Sequence, residues 1–208
     1  MNEGYRHIID SISSSDPTPG GGSVSALVLS HAHSLALMVS RLTLGKEKWA
    51  AGQSISKKII SSSSEGVESS LALAKKDAIA FDMVMDSYRL PKDTEALKEF
   101  RKTSIHKSTI RAATVPLEIM RESTKLIENI TELARYGNSN ALTDLLGAAD
   151  LAKTSTILAS YNVRINLDDL DPCDEKTSMT NELEKLTRTN VESHKVIRKI
   201  ILERLEWN

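Results

Sequence analysis

Asp77 stands three residues after Ala74 and four before Phe81, so at helical spacing it projects from an apolar stripe and not from a solvated face. A carboxylate placed there either finds a partner or holds its proton above the usual range, and the second case makes an acid or base for proton transfer. The competing reading puts Asp77 at the edge of the stripe, beside Lys76 and water. Asp82, Asp86 and Arg89 follow at i, i+4 and i+7 on one face, where a solvated ion-pair ladder competes with any chemical role. Asp144 comes shortly after "GNSN", in the first turn of a helical pattern, where a carboxylate complements the helix dipole. Asn138 and Asn140 read there as caps. Arg164 in "NVRINL" alternates with Val163 and Ile165 as in an extended segment; it is either a surface arginine or a holder of an anion.

A second place for chemistry is "DPTPGGGSVSAL", Asp16 to Leu27. It is not a Walker loop, because no lysine occurs between Asp16 and Arg41, and it is not a dinucleotide fingerprint, because Ser25 stands where the sixth-position glycine belongs. Backbone N–H groups at Gly20, Gly21, Gly22 and Ser23, at the start of a helix and unshielded by Cβ atoms, can approach a flat or anionic ligand closely. A sharp bend before a buried helix is the alternative. His7, His31, His33, His106 and His194 have no metal-ligand spacing, so no metal site is expected. Lys46 in "GKEKW" reads as a solvated helix start.

These groups need a frame, and the sequence offers helices. Strand signals are sparse and 3.6-residue patterns recur, which makes the expected fold all-α, an antiparallel bundle of about six helices in one domain over residues 1–208. The first helix is expected over Asn2 to Ser14. Ser23 reads as the N-cap of a helix from Val24 to about Leu44 with apolar residues on more than one side, suited to the middle of a bundle. A third runs from about Glu47 to Tyr88, through "SSSSEG", and stops before Pro91. A fourth runs from about Thr94 to Arg135 with an expected kink at Pro116, which cannot donate to the carbonyl four residues back. Gly137 caps it. A fifth covers Leu142 to Ser160, "NVRINL" and "DDLDPCDE" form an irregular crossing, and a charged amphipathic helix closes the chain over about Thr177 to Glu206.

The bulk composition narrows the class. Lysine and arginine total 27 against 28 acids, a formal charge of -1, which argues against a general nucleic-acid binder. One cysteine, Cys173, rules out an intrachain disulfide. No apolar run reaches the roughly 20 residues of a membrane span, and "MNEGYRHIID" has no signal-peptide core, so a cytoplasmic protein without membrane or nucleic-acid partners is expected.

Six collinear pieces, "PTPGGGSVSAL", "MVSRLTLGKEKW", "DAIAFDMVMDSYRLPK", "RAATVPLEIM", "ELARYGNSNALTD" and "YNVRINL", carry a resemblance over nearly the whole chain. The sequence resembles the cyclodeaminase/cyclohydrolase family of folate enzymes. The resemblance implies an all-helical homodimer that binds a tetrahydrofolate derivative in a cleft involving the glycine loop, with no further cofactor. It matches Asp77 and Asp144 to recurring family acids and leaves Asp82, whose position is often an amide, as the second choice. Lys46, Arg89 and Arg164 would suit the glutamate tail of folate, and Asn138 would belong to the binding surface. Two positions depart from the family pattern: Ser139, where proline is frequent, and Arg41, where a smaller residue is usual. The implied activity is hydrolysis of 5,10-methenyltetrahydrofolate to 10-formyltetrahydrofolate. Formiminotetrahydrofolate cyclodeaminase activity is the first alternative and a non-catalytic folate-binding or assembly protein the second.

Overall fold

The computed structural model describes residues 3–207, and among them there is helix and no strand. Six α-helices follow in order: α1 (Glu3–Ile12), α2 (Gly21–Thr43), α3 (Gln53–Arg89), α4 (Glu95–Tyr136), α5 (Leu142–Asp168) and α6 (Asp174–Leu205). Short 3-10 turns at Glu47–Gly52 and Ser139–Ala141 lead into α3 and α5. Asn2, where the first helix was expected to begin, lies outside the described residues.

Helix α2 is the middle of the bundle because it is small and apolar almost all round. Ala26, Leu29, Ala32, Ala36 and Val39 have no exposed surface, and the helix packs on α3, α4 and α5. With 23 residues, nearly all uncharged, it is long and apolar enough to cross a membrane, contrary to the expectation that no such run exists. Its burial among three neighbours gives those residues a core role instead. Helix α2 runs antiparallel to both α3 and α5: Ser23 meets Asp77 and His33 meets Ser63 along α2 and α3, while Ser155 of α5 donates to the Ser25 carbonyl and Gly147 lies beside Leu35. The largest buried side chains include Ile119, Met120, Leu126, Ile127, Ile130 and Leu133 of α4 and Leu142 and Leu145 of α5. Helix α6 closes the α4/α5 face, tied by a bidentate Arg121–Glu182 pair.

Several boundaries differ from the sequence reading. Ser23 is not the N-cap of α2; Gly20 is, in an extended conformation, and Ser23 sits inside the first turn with its hydroxyl turned to another helix. Residues 47–52 form a 3-10 turn and α3 begins only at Gln53, whose amide ties the turn together through the carbonyls of Thr43 and Trp49. The "SSSSEG" run is continuous helix, because Ser63 and Gly66 are buried against His33 and need to be small there. The largest correction is in "NVRINL", which is helical: α5 continues to Asp168 with Val163 and Leu167 buried one turn apart. The apparent alternation of Val163 and Ile165 had a helical explanation, since Ile165 is exposed and only Val163 faces the core. Pro116 is buried within an unbroken α4.

Candidate active site

At the N-terminal end of α2, the loop before it meets the C-terminal halves of α3 and α5 around a cleft of about 330 Å³. That is the lower end of the range for small-molecule sites. Pro17, Thr18 and the three glycines form one side; Phe81, Val84, Met85 and Tyr88 of α3 form an apolar wall; Asn162, Ile165, Asn166 and Asp169 form the third side. Asp77 lies at the junction of the first two.

Asp77 is half-buried, and the Ser23 hydroxyl donates to its Oδ2 at 3.0 Å. Burial raises its proton affinity above the ordinary carboxylate value, opposed in part by hydrogen bonds from the Ser23 hydroxyl and backbone N–H. Gly22 is glycine for a steric reason: a Cβ at that position would overlap the Asp77 carboxyl group. The glycine run therefore does two things together, opening α2 with exposed N–H groups and letting a carboxyl group from α3 lie against the helix start. Such a group, uncovered toward an apolar cleft, is equipped to take a proton from water or return it to a ligand nitrogen.

The other sequence-stated candidates divide by position. Gly20, Gly21, Gly22 and Asp77 line the cleft, and Ser23 reaches it through Asp77. Asp82 is exposed on the outer face of α3 and does not line it. Arg89 is paired with Asp86 at 2.9 Å on the same outer side, one residue past the cleft residue Tyr88. Arg164 is an exposed helical residue between the two cleft asparagines and is not part of the cleft lining. Asp144, Lys46 and Asn138 gather at the opposite end of α2. Asp144 is half-buried in the first turn of α5, and Lys46 is exposed in the α2–α3 connection. Asn138 caps the turn before α5, accepting from the Asn140 N–H and donating to the Leu42 carbonyl. Gly147 lies beside Leu35, thirteen residues along α2 from Gly22, and Asp144 lies nearly a turn beyond it, so the separation of Asp144 from Asp77 along the bundle exceeds about 20 Å at 1.5 Å per residue. One subunit does not bring the two acids together.

The cleft also holds residues that sequence reasoning did not single out. Asn162 and Asn166 were hidden by the extended reading of "NVRINL", and Asp169 by the irregular crossing expected at "DDLDPCDE", although Asn162/Asn166 and Val163/Leu167 share the i, i+4 spacing of a helix. Among the described residues, no group of three or more His, Cys, Asp or Glu side chains is arranged to hold a metal ion.

Comparison with known proteins decides what this frame belongs to. A family model described as formiminotransferase-cyclodeaminase matches residues 5–185. The chain belongs to that family. It is 33% identical over 186 residues to the methenyltetrahydrofolate cyclohydrolase of Methylorubrum extorquens, covering 89% of each chain. It is 30% identical over 179 residues to mouse formimidoyltransferase-cyclodeaminase, of whose length it matches only 33%. The crystal structure of formiminotetrahydrofolate cyclodeaminase from Thermotoga maritima superposes with a TM-score of 0.87 at 30% identity, covering 97% of this chain and 96% of that one. Within this family the all-helical bundle and the folate connection expected from the six sequence pieces stand.

Proposed function

We propose that this member of the formiminotransferase-cyclodeaminase family is a methenyltetrahydrofolate cyclohydrolase, with Asp77 as its acid/base group. The observation that carries the reading is the half-buried Asp77 carboxyl group, raised in proton affinity and set against the glycine turn at a cleft of suitable size. Its similarity to the Methylorubrum enzyme over the same large share of both chains supports this choice.

The substrate is an amidinium cation whose bridging carbon is electrophilic. Water adds to that carbon and loses a proton to the Asp77 carboxylate. The bond from carbon to N5 then breaks, N5 takes a proton from the Asp77 carboxyl group, and the hydroxyl proton is released as the formyl carbonyl forms on N10. One acid suffices for both transfers, and the scheme calls for no cofactor beyond the tetrahydrofolate itself. Asp144, with Lys46 and Asn138, joins such a site only from a second copy of the chain; that gives the proposed homodimer a chemical purpose. Arg89 and Arg164 flank the cleft residues and would meet the glutamate tail at its rim. A cytoplasmic location fits this substrate, with α2 packed among helices and not facing lipid.

A cyclodeaminase activity is the second reading, favoured by the close fold match to the Thermotoga protein. In that reaction N10 attacks a formimino carbon on N5 and ammonia leaves, so the same acid/base group serves. A folate-binding protein without turnover is the third. Incubation with methenyl- and formimino-tetrahydrofolate in separate assays decides among them. Loss of the methenyl chromophore above the spontaneous rate is the expected result. Its formation from the formimino compound with ammonia identifies the second reading, and binding with neither change identifies the third.

A further inference from the structure

The α5 side of the cleft presents hydrogen-bond acceptors. Asn166 Nδ2 donates to the Ala112 carbonyl at 3.2 Å and to the Asn162 carbonyl at 2.7 Å, and Asn162 Nδ2 donates to the Leu158 carbonyl at 2.9 Å. Three backbone carbonyls thus fix which end of each amide is nitrogen, because an amide oxygen could not face them. Both Oδ1 atoms are left on the other side of their side chains, without a donor among the described residues, on residues that line the cleft. Asp169 adds a carboxylate at the same wall.

The Ala112 carbonyl is free to hold Asn166 for a reason written in the sequence. Residue 116, which would donate to it within α4, is proline and has no N–H. Pro116 therefore leaves an acceptor inside an unbroken helix, and Asn166 of the neighbouring helix occupies it. The result is a pair of held amide groups on successive turns of α5, on the side of the cleft opposite an apolar wall that includes Phe81 and Tyr88.

Resting on the folate reading, we propose that Asn162 and Asn166 are the residues that select the pteridine ring, accepting hydrogen bonds from its N–H-rich 2-amino-pyrimidinone edge while the α3 wall covers its face. Pro116 is a positioning residue for Asn166. A wall rich in acceptors discriminates by what it leaves unpaired: a ring lacking the 2-amino donor strands a desolvated oxygen.

The test compares 5,10-methenyltetrahydrofolate with its 2-desamino-2-methyl analogue in kcat/KM, for the wild type and for Asn162→Leu, Asn166→Leu and Pro116→Ala. Asn162→Leu is the cleanest variant, since its one hydrogen bond is to its own helix and leucine favours helix. The wild type is expected to prefer the natural ring by about ten- to a hundred-fold, the scale of one or two lost hydrogen bonds. The preference is expected to fall to within about threefold in Asn162→Leu, and to fall partway in Pro116→Ala, which touches no ligand. An unchanged preference in a folded Asn162→Leu enzyme overturns the assignment while leaving the folate reading intact. If the wild type neither converts nor binds the natural compound, both fall together. Should Asn166→Leu fail to fold, Asn162→Leu and Pro116→Ala still decide the matter.

Discussion

Asp77 shows how neighbours set the proton affinity of one carboxyl group. Its raised pKa means that the folded state holds the proton more tightly than the unfolded chain, so ionisation of Asp77 opposes folding at neutral pH and the opposition is relieved as pH falls through the raised value. Asp77→Asn is therefore expected to melt no lower than the wild type at pH 7, with any advantage shrinking in acid. The same variant should lose about 10²- to 10⁴-fold in turnover, the usual worth of a placed proton-transfer group. Asp82→Asn should leave turnover within about twofold, as expected of an exposed surface change; parallel kinetics of the two variants checks the ranking, and a large defect at Asp82 with normal Asp77→Asn turnover reverses it. His33 behaves in the opposite sense. It is 4% exposed, its Nδ1 is bonded to the Ser63 hydroxyl at 3.0 Å, and burial pushes its pKa down to about 4 despite the nearby Glu122. Between pH 6.5 and about 4 the unfolded chain takes a proton that the folded one refuses, so stability drains away over that window. The full effect is about 3 kcal/mol, and urea midpoints measured across the window should flatten in His33→Gln. The half-burial of Asp77 was legible from its place in the stripe, whereas the burial of His33 was not, because no spacing rule reveals a ring inserted against a glycine of another helix.

The helices follow the sequence pattern well in their middles and poorly at their joints. Apolar periodicity located α2, α3 and α4 because each buries a continuous stripe. It misplaced the start of α3, where side-chain bonds from Gln53 hold a 3-10 turn, and the end of α5, where a polar and an apolar residue interleave at both strand and helix spacing. The serine-rich middle of α3 illustrates tertiary override of weak propensity. Ser70 returns its hydroxyl to the Gly66 carbonyl at 2.6 Å, satisfying itself within the helix. Gly66 has no Cβ because the His33 ring takes that space. Gly66→Ala, a change that improves intrinsic helix propensity, is thus expected to destabilise the fold by about 1–3 kcal/mol through overpacking. Chemical denaturation of this variant beside Gly4→Ala, where the added methyl meets open space, separates the packing cost from the backbone gain.

In the folded chain the two candidate acids lie toward opposite ends of α2, which is why the sequence could nominate Asp77 and Asp144 together without revealing that they lie far apart. Linear order and motif spacing carry no record of which end of a bundle a residue reaches. If a second copy completes the site and Asp144→Asn is impaired like Asp77→Asn, mixing the two variants should restore up to about a quarter of wild-type activity averaged over all sites, because half of the dimers are hybrids with one intact site, on the simple symmetry of a two-fold interface. Activity that stays at the level of the separate variants argues against a shared site. The first helix poses a different matter of cohesion. Helix α1 has no buried residue, Tyr5, Ile8 and Ile9 are all exposed, and the Tyr5 ring reaches the bundle edge-on at His31, with centroids 6.2 Å apart. A ten-residue helix with so little tertiary support opens without waiting for the rest of the protein. Its amides should exchange with deuterated solvent within seconds in an isolated subunit, while those of α2 wait for global unfolding. Lasting protection of residues 5–12 at high protein concentration, lost on dilution, would mark α1 as a clasp whose hold is measured in molecules per volume and not in bonds within the chain.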